Sequence, residues 1–345
     1  EAEAVRLYRK ATGQDYSTAQ NNLGRMYEAG NGVSKDETEA VRWYRKAAEQ
    51  GDTFAQDNLG RMYANGLGVT KDDVEAAKWF RKAAEQDYAT AQCNLGVMYQ
   101  SGRGVTKDDV EAVRWFRKAA EQDDASGQWN LGFMYANGRG VTKDETEAAR
   151  WYRKAAEQDD ADAQNNLGAM YETGSGVSKD EAEAVKWYRK AAEQDDAMAQ
   201  DNLGRMYENG RGVTKDDVEA VRWYQKAAEQ DYAKAQVRLG IMYEYGRGVT
   251  RDDVEAVRWY RKAAEQDHAM AQNSLGVMYQ YGDGVAKDDK EAVKWYRKAA
   301  EQDYADAQVN LGSMYEDLGV PKHYVEAVRW YRKAAGQDHA RAQNR

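Results

Sequence analysis

One cysteine, one proline, four phenylalanines and three histidines in 345 residues leave little room for several kinds of chemistry. A lone thiol, Cys93, excludes an internal disulfide framework and does not by itself fix a compartment. With Pro321 the only proline, helices can run through the chain without forced breaks. His268, His323 and His339 fall in different segments, so no catalytic triad and no metal set is implied, and no cofactor is expected. No stretch approaches the length of an apolar membrane span, and no signal peptide is visible. Basic excess is missing too: a net charge of -9 weighs against a nucleic-acid or anionic-membrane binder, because either needs a cationic surface.

What the chain has instead is a period of thirty-six residues, marked by Leu23-Gly24, Leu59-Gly60, Leu95-Gly96, Leu131-Gly132, Leu167-Gly168, Leu203-Gly204, Leu239-Gly240, Leu275-Gly276 and Leu311-Gly312. A fixed period of this size implies a solenoid in which each block completes its neighbour's core. One continuous array over residues 1–345 is therefore expected. Glu1-Ala-Glu-Ala-Val-Arg aligns with Glu37-Thr-Glu-Ala-Val-Arg, and Arg345 falls partway through a block. Such edges read as a piece cut from a longer array, whose secretion signal, if any, would lie outside it.

Within the first complete block, Ala19, Leu23, Met26 and Tyr27 are spaced as one face of a helix over Tyr16–Glu28, here called helix A. The glycine after each leucine costs about 1 kcal/mol relative to alanine inside a helix, which predicts that another backbone passes close to it. Gly30-Asn31-Gly32-Val33 ends helix A with glycines suited to left-handed turns, and Val33 pins the loop. Asp36 followed by Glu39 reads as a reciprocal capping box opening helix B, and recurs seven times up to Asp288/Glu291. Helix B then carries Ala40, Trp43, Tyr44, Ala47 and Ala48 inward, with Arg42, Arg45 and Lys46 exposed. The tryptophan recurs at Trp79, Trp115, Trp151, Trp187, Trp223, Trp259, Trp295 and Trp330, and beside small alanines it reads as core. An aspartate such as Asp15 or Asp87, with Gly51 the exception, is expected to cap the next helix A.

Two motifs tempt a ligand reading and do not sustain it. The Gly-x-Gly turns follow helices and lack the Lys-Ser/Thr of a nucleotide loop. Runs such as Lys71-Asp72-Asp73 lack the alternating ligands of a calcium loop.

Ala-x-x-x-Leu-Gly-x-x-Tyr, then Gly-x-Gly-Val-x-x-Asp, then Ala-x-x-Trp-Tyr-x-Lys-Ala-Ala together resemble the Sel1-like repeat (SLR), a cousin of the tetratricopeptide repeat. The ninth block departs by losing one loop residue in Asp317-Leu318-Gly319-Val320 and by placing His323 where the cap aspartate stands, which predicts an altered turn there. The resemblance implies an all-α, right-handed α/α superhelix of antiparallel helix pairs. It also implies A helices on the concave side and a non-enzymatic role as an adaptor holding other proteins.

Positions that vary between blocks, Thr18, Asn21, Arg25, Glu28, Ala29 and their equivalents, form one stripe opposite Ala19/Leu23/Met26. They also match the groove-facing positions of the tetratricopeptide relatives. Along this stripe Arg25 and Arg61 are basic, and Cys93, Val97, Trp129 and Phe133 form an apolar cluster flanked by Phe54. Val237, Ile241, Val277 and Val309 form a second, with Arg205, Arg238, Tyr245 and Tyr281 nearby. Apolar groups gathered in a concavity point to protein or peptide binding, with tryptophan and arginine as anchors; drift among duplicated blocks is the alternative. Asn58, Asn94 and Asn130, beside their Leu-Gly pairs, could each grip a peptide backbone or hydrogen-bond the neighbouring helix. The expected function is a scaffold binding a peptide segment or partner helix on the A-helix face. A structural spacer self-associating through its ends is the second reading.

Overall fold

A computed structural model describes residues 1–12, 16–317 and 321–337. Among them are nineteen helices and no strand, in two compact units, Glu1–Lys179 and Asp180–Arg345. The first unit contains α1 (Ala2–Thr12), α2 (Ser17–Ala29), α3 (Glu37–Glu49), α4 (Thr53–Asn65), α5 (Asp73–Glu85), α6 (Ala89–Ser101), α7 (Asp109–Glu121), α8 (Ala125–Asn137), α9 (Glu145–Glu157) and α10 (Ala161–Thr173). The second contains α11 (Glu181–Glu193), α12 (Ala197–Asn209), α13 (Asp217–Glu229), α14 (Ala233–Tyr245), α15 (Asp253–Glu265), α16 (Ala269–Tyr281), α17 (Asp289–Glu301), α18 (Ala305–Asp317) and α19 (Pro321–Ala335). Even-numbered helices are the A helices of the repeat and odd-numbered ones the B helices. Within each unit consecutive helices pack against one another along the stack.

Local chemistry explains the boundaries. Each A helix of α2 to α16 ends on a left-handed glycine, such as Gly102 with φ 72°, whose N–H bonds back to the helix at Met98. The aspartate opening each helix B of α3 to α17 caps it: Asp108 Oδ1 accepts from the N–H groups of Val110 and Glu111. Only half of the expected capping box forms. The cap's own N–H donates instead to the preceding A helix, Asp108 to the Tyr99 carbonyl at 3.0 Å. Glu111 is left to accept from Arg114 at 3.3 Å. Fixing the A–B loop to the A helix wins over the reciprocal bond because a backbone acceptor is already in place there.

The expected capping role of Asp87 also changes. Asp87 and its equivalents adopt left-handed backbone (φ 61° at Asp87) in the turn between repeats, where Gly51 takes φ 88°. Gly51 is therefore an ordinary occupant of that turn rather than an exception. Where the next residue is an aspartate the cap falls to it, Asp52 accepting from Ala55 N–H and Asp124 from Gly127 N–H, whereas Tyr88 after Asp87 makes no side-chain cap bond. Asp15 lies outside the described residues, as do Leu318–Val320 of the altered ninth turn, the side chain of His323, and His339.

The core runs between the A and B rows. Leu95, Ala112, Phe116, Ala119 and Leu131 are fully buried, each large side chain contributing about 1.5–3 kcal/mol. What comes nearest the glycines of the Leu-Gly pairs is an aromatic ring, with a helix B carbonyl following, 3.2 Å from a Cβ placed on Gly24 or Gly204. A Cβ on Gly96 would stand 2.6 Å from the Phe116 ring, and one on Gly24 would stand 2.7 Å from the Tyr44 ring.

Repeats are stitched together by polar contacts. Arg45 donates to the Tyr63 hydroxyl at 2.6 Å and Arg117 to Tyr135 at 2.9 Å. In the loops, Arg103 reaches Asp73 of the preceding helix B at 2.6 Å, and Arg139 reaches Asp109 at 2.9 Å. A row of glutamines buried between the helices completes the set. Gln92 Nε2 donates to the Ala84 carbonyl at 3.2 Å, while its Oε1 accepts from Gln122 at 2.8 Å. These glutamines follow an alanine in every repeat but one, where Gly127 precedes Gln128, and only their constancy along the chain marks them in the sequence.

Candidate functional site on the A-helix face

The variable stripe of the A helices splits in two. Positions equivalent to Asn21 lie between adjacent A helices, and most are buried: Asn21, Asp57, Cys93, Asp201, Val237 and Val309 are each at most 8% exposed. Cys93 and Val237, expected to be accessible to a partner, are thus packing residues, as is Val309 of the second apolar cluster. Burial pushes the Cys93 thiol up to about 12, which removes it from thiolate chemistry. The asparagines bridge neighbouring repeats. Asn58 Nδ2 donates to Asn21 at 3.0 Å and Asn94 to Asp57 at 2.9 Å. Asn130 donates to the Ser126 carbonyl at 2.9 Å and faces Cys93 Sγ at 3.7 Å. Of the two readings open for these amides, the helix-bridging one is what the geometry forms. Where Arg238 replaces the asparagine it still reaches back, to Asp201 at 3.0 Å.

Several cations of the stripe are engaged. Arg61 forms two bonds to Glu28, at 2.6 and 2.8 Å. Glu28 also accepts from the Tyr44 hydroxyl at 2.6 Å. Burial raises the Glu28 carboxyl, yet the hydrogen bonds from Arg61 and Tyr44 outweigh it, and the group ends below its ordinary value. Arg205 contacts Asn202 at 3.4 Å. Arg25 is exposed and, with Asn22, Asn58, Phe54 and Tyr88, lines a cavity of about 730 Å³. Phe54, 58% exposed, meets Tyr88 edge-on at 5.1 Å. It therefore belongs to this cavity and not to a contact with Trp129. Tyr88, a helix-start residue, gave no signal in the sequence because that position holds Tyr, Asp or His from repeat to repeat.

The apolar cluster proper lies on α6 and α8. Trp129 is the one tryptophan outside the helix B series; its ring stacks on Phe133 at 5.8 Å and 20°. Both are half-buried, Phe133 resting on the core formed by Cys93, Val113, Phe116 and Leu131. Val97, one turn after Cys93 on α6, is 36% exposed. The Arg139 guanidinium lies 6.0 Å from the Phe133 ring centre. All four phenylalanines of the chain, Phe54, Phe80, Phe116 and Phe133, fall between α4 and α8.

In the second unit the expected residues do not form one site. Ile241 packs against the core around Leu275, and Val277 against that around Leu311. Tyr245 and Tyr281 are each 66% exposed. Tyr281 borders a cavity of about 530 Å³ with Lys287, Lys290, Val293 and Met314. His268 starts α16 without a side-chain cap bond, and burial together with Lys234 lowers its pKa. Among the described residues no group of three or more His, Cys, Asp or Glu could hold a metal ion, and no helix is long and apolar enough to cross a membrane.

A family profile described as the Sel1 repeat matches nine consecutive segments, 17–52, 53–88, 89–124, 125–160, 161–196, 197–232, 233–268, 269–304 and 305–339. The chain belongs to the Sel1 repeat family. Among solved structures it is similar to c5321, a protective antigen present in uropathogenic Escherichia coli strains that displays an SLR fold. The two share 43% identity over 98% of this chain and 73% of that one, with a TM-score of 0.84. It is also similar to a Sel1 repeat protein from Oxalobacter formigenes, at 35% identity, covering 88% of this chain and 87% of the other, TM-score 0.66. No curated protein matches it. Sel1 repeat proteins are in general non-enzymatic scaffolds that bind other proteins.

Proposed function

We propose that this Sel1 repeat protein is a binding scaffold that holds an extended segment of a partner protein along its A-helix face between α2 and α8. The observation carrying this is the Trp129–Phe133 stack, half-buried at positions where the following repeat has Asn165 and Ala169. A large aromatic pair placed where the adjacent repeat accepts small or polar side chains exceeds what the fold requires there, and such pairs are typical energetic anchors. Val97 widens the apolar surface. Arg25 stands at its far end, toward acidic parts of the partner. Adjacent A helices lie about 10 Å apart, so α2 to α8 spans roughly nine residues of extended chain at about 3.3 Å each.

The test uses displayed random nine-residue peptides selected on the whole protein. Peptides recovered on the wild type should lose at least tenfold in affinity for the double variant Trp129→Asn/Phe133→Ala. That variant copies the adjacent repeat and so preserves a side-chain set the fold already carries. Equal binding to both proteins would remove the site from Trp129 and Phe133.

A further inference from the structure

A hydrogen bond that recurs between the A and B helices is broken in one repeat, beside the aromatic stack. The tyrosine of helix B lies with its ring under the Leu-Gly glycine and its hydroxyl at the last turn of helix A, where it donates to a side chain sixteen residues earlier. Tyr44 donates to Glu28 at 2.6 Å, Tyr224 to Glu208 at 2.6 Å and Tyr260 to Glu244 at 2.5 Å. Tyr296 donates to Gln280 at 2.6 Å, and Tyr331, one residue closer because of the deletion, to Glu316 at 3.0 Å. Two repeats lack the hydroxyl: Phe80 stands against Ala64, and Phe116 against Gln100, which turns instead to Met134 Sδ at 3.3 Å. Tyr152 alone keeps its hydroxyl while the acceptor position is an alanine, Ala136.

Tyr152 is held in the same pose as its counterparts, a Cβ on Gly132 standing 2.8 Å from its ring. The residue is 4% exposed. Its hydroxyl has no hydrogen-bond partner among the described residues and is not sealed from solvent, and burial alone raises its pKa. In the other repeats a side chain at this position satisfies the hydroxyl, and an acceptor placed over Ala136 would complete the same bond. Trp129, Phe133 and Ala136 are spaced by four and three, on one face of α8. From Ala64 through Gln100 to Ala136, this row carries no carboxylate in a chain of net charge -9. Arg139, paired with Asp109, lies over Phe133.

We infer that the gap over Ala136 is a subsite for a carboxylate side chain of the bound segment, which accepts from the Tyr152 hydroxyl as glutamate does in other repeats, next to an apolar side chain seated on Trp129 and Phe133. The partner class is an extended peptide pairing Asp or Glu with a nearby large apolar residue. This inference rests on the proposed binding face.

The experiment compares three proteins on the same nine-residue peptide library: wild type, Tyr152→Phe, which copies Phe116, and Ala136→Glu, which copies Glu172. Wild type should select an acidic residue beside an apolar one. A selected peptide should weaken about tenfold when its acid is exchanged for the neutral amide, the fold-change of one charge-assisted hydrogen bond. Tyr152→Phe should keep the apolar preference and lose discrimination between acid and amide. Ala136→Glu, which fills the gap and satisfies the hydroxyl internally, should bind the amide peptide at least as well as the acid. Apolar selection without an acid preference, unchanged by Tyr152→Phe, overturns the carboxylate subsite and leaves the binding face standing. Recovery of no peptide dependent on Trp129 and Phe133 overturns both.

Discussion

Replacing Gly104 by alanine tests how the repeats are joined. Gly102 and Gly104 bracket the same A–B loop and share left-handed backbone, φ 72° and 67°. An L-residue there costs roughly 1–2 kcal/mol, so backbone conformation alone predicts the same loss at both sites. Their surroundings differ. A Cβ on Gly102 would meet the Lys107 Cβ at 3.1 Å, a tight contact that a loop adjustment of a few tenths of an ångström relieves. A Cβ on Gly104 would stand 1.8 Å from the Asp73 carbonyl oxygen and 2.3 Å from its carbon, in the first turn of the preceding helix B. That backbone cannot yield without also displacing the Asp73 carboxylate held by Arg103. Overpacking of this kind costs about 1–3 kcal/mol, bringing the expected loss for Gly104→Ala to about 2–5 kcal/mol, against about 1–2 kcal/mol for Gly102→Ala. Urea denaturation of both variants followed by circular dichroism measures the difference. Losses within about 0.5 kcal/mol of each other would show that loop contact with the preceding repeat is not what these glycines serve.

Two further outcomes concern charge between repeats. Burial raises the Asp57 carboxyl although Asn94 bonds it and Arg61 is near, so its ionisation opposes folding increasingly as pH rises from the unfolded value of about 3.9. Asp57→Asn, which reproduces the Asn21–Asn58 pair, should therefore stabilise by on the order of 1 kcal/mol at pH 7 and by nothing below pH about 3. Asp201→Asn should give no such gain because Arg238 loses its anion; thermal melts across pH decide both. Asp283 stands where Arg103 and Arg139 bridge to the preceding helix B, and faces Asp253, which is left to pair with Arg251 at 2.8 Å. Asp283→Arg should stabilise by about 0.2–1 kcal/mol and lose that gain in molar salt; a gain insensitive to salt would refute an ion-pair origin.

What a single repeat decides by itself was open to reading along the chain. Helix starts and stops depend on Asp108-type caps and Gly102-type turns within a few residues, and the inward side of helix B follows from spacing. Constancy of those residues through eight of the nine Sel1 repeats therefore determined the fold. Which variable residues a partner can reach was decided between repeats. Cys93 and Val97 sit one turn apart on one stripe and look alike in sequence, yet the next A helix covers the first and stops short of the second. Asn94 ends as a bridge for the same reason, since its amide finds Asp57 across the gap before any peptide could. The unpaired Tyr152 hydroxyl depends on the absence of a carboxylate sixteen residues away. That absence acquires meaning only when packing brings the last turn of α8 against the ring of α9.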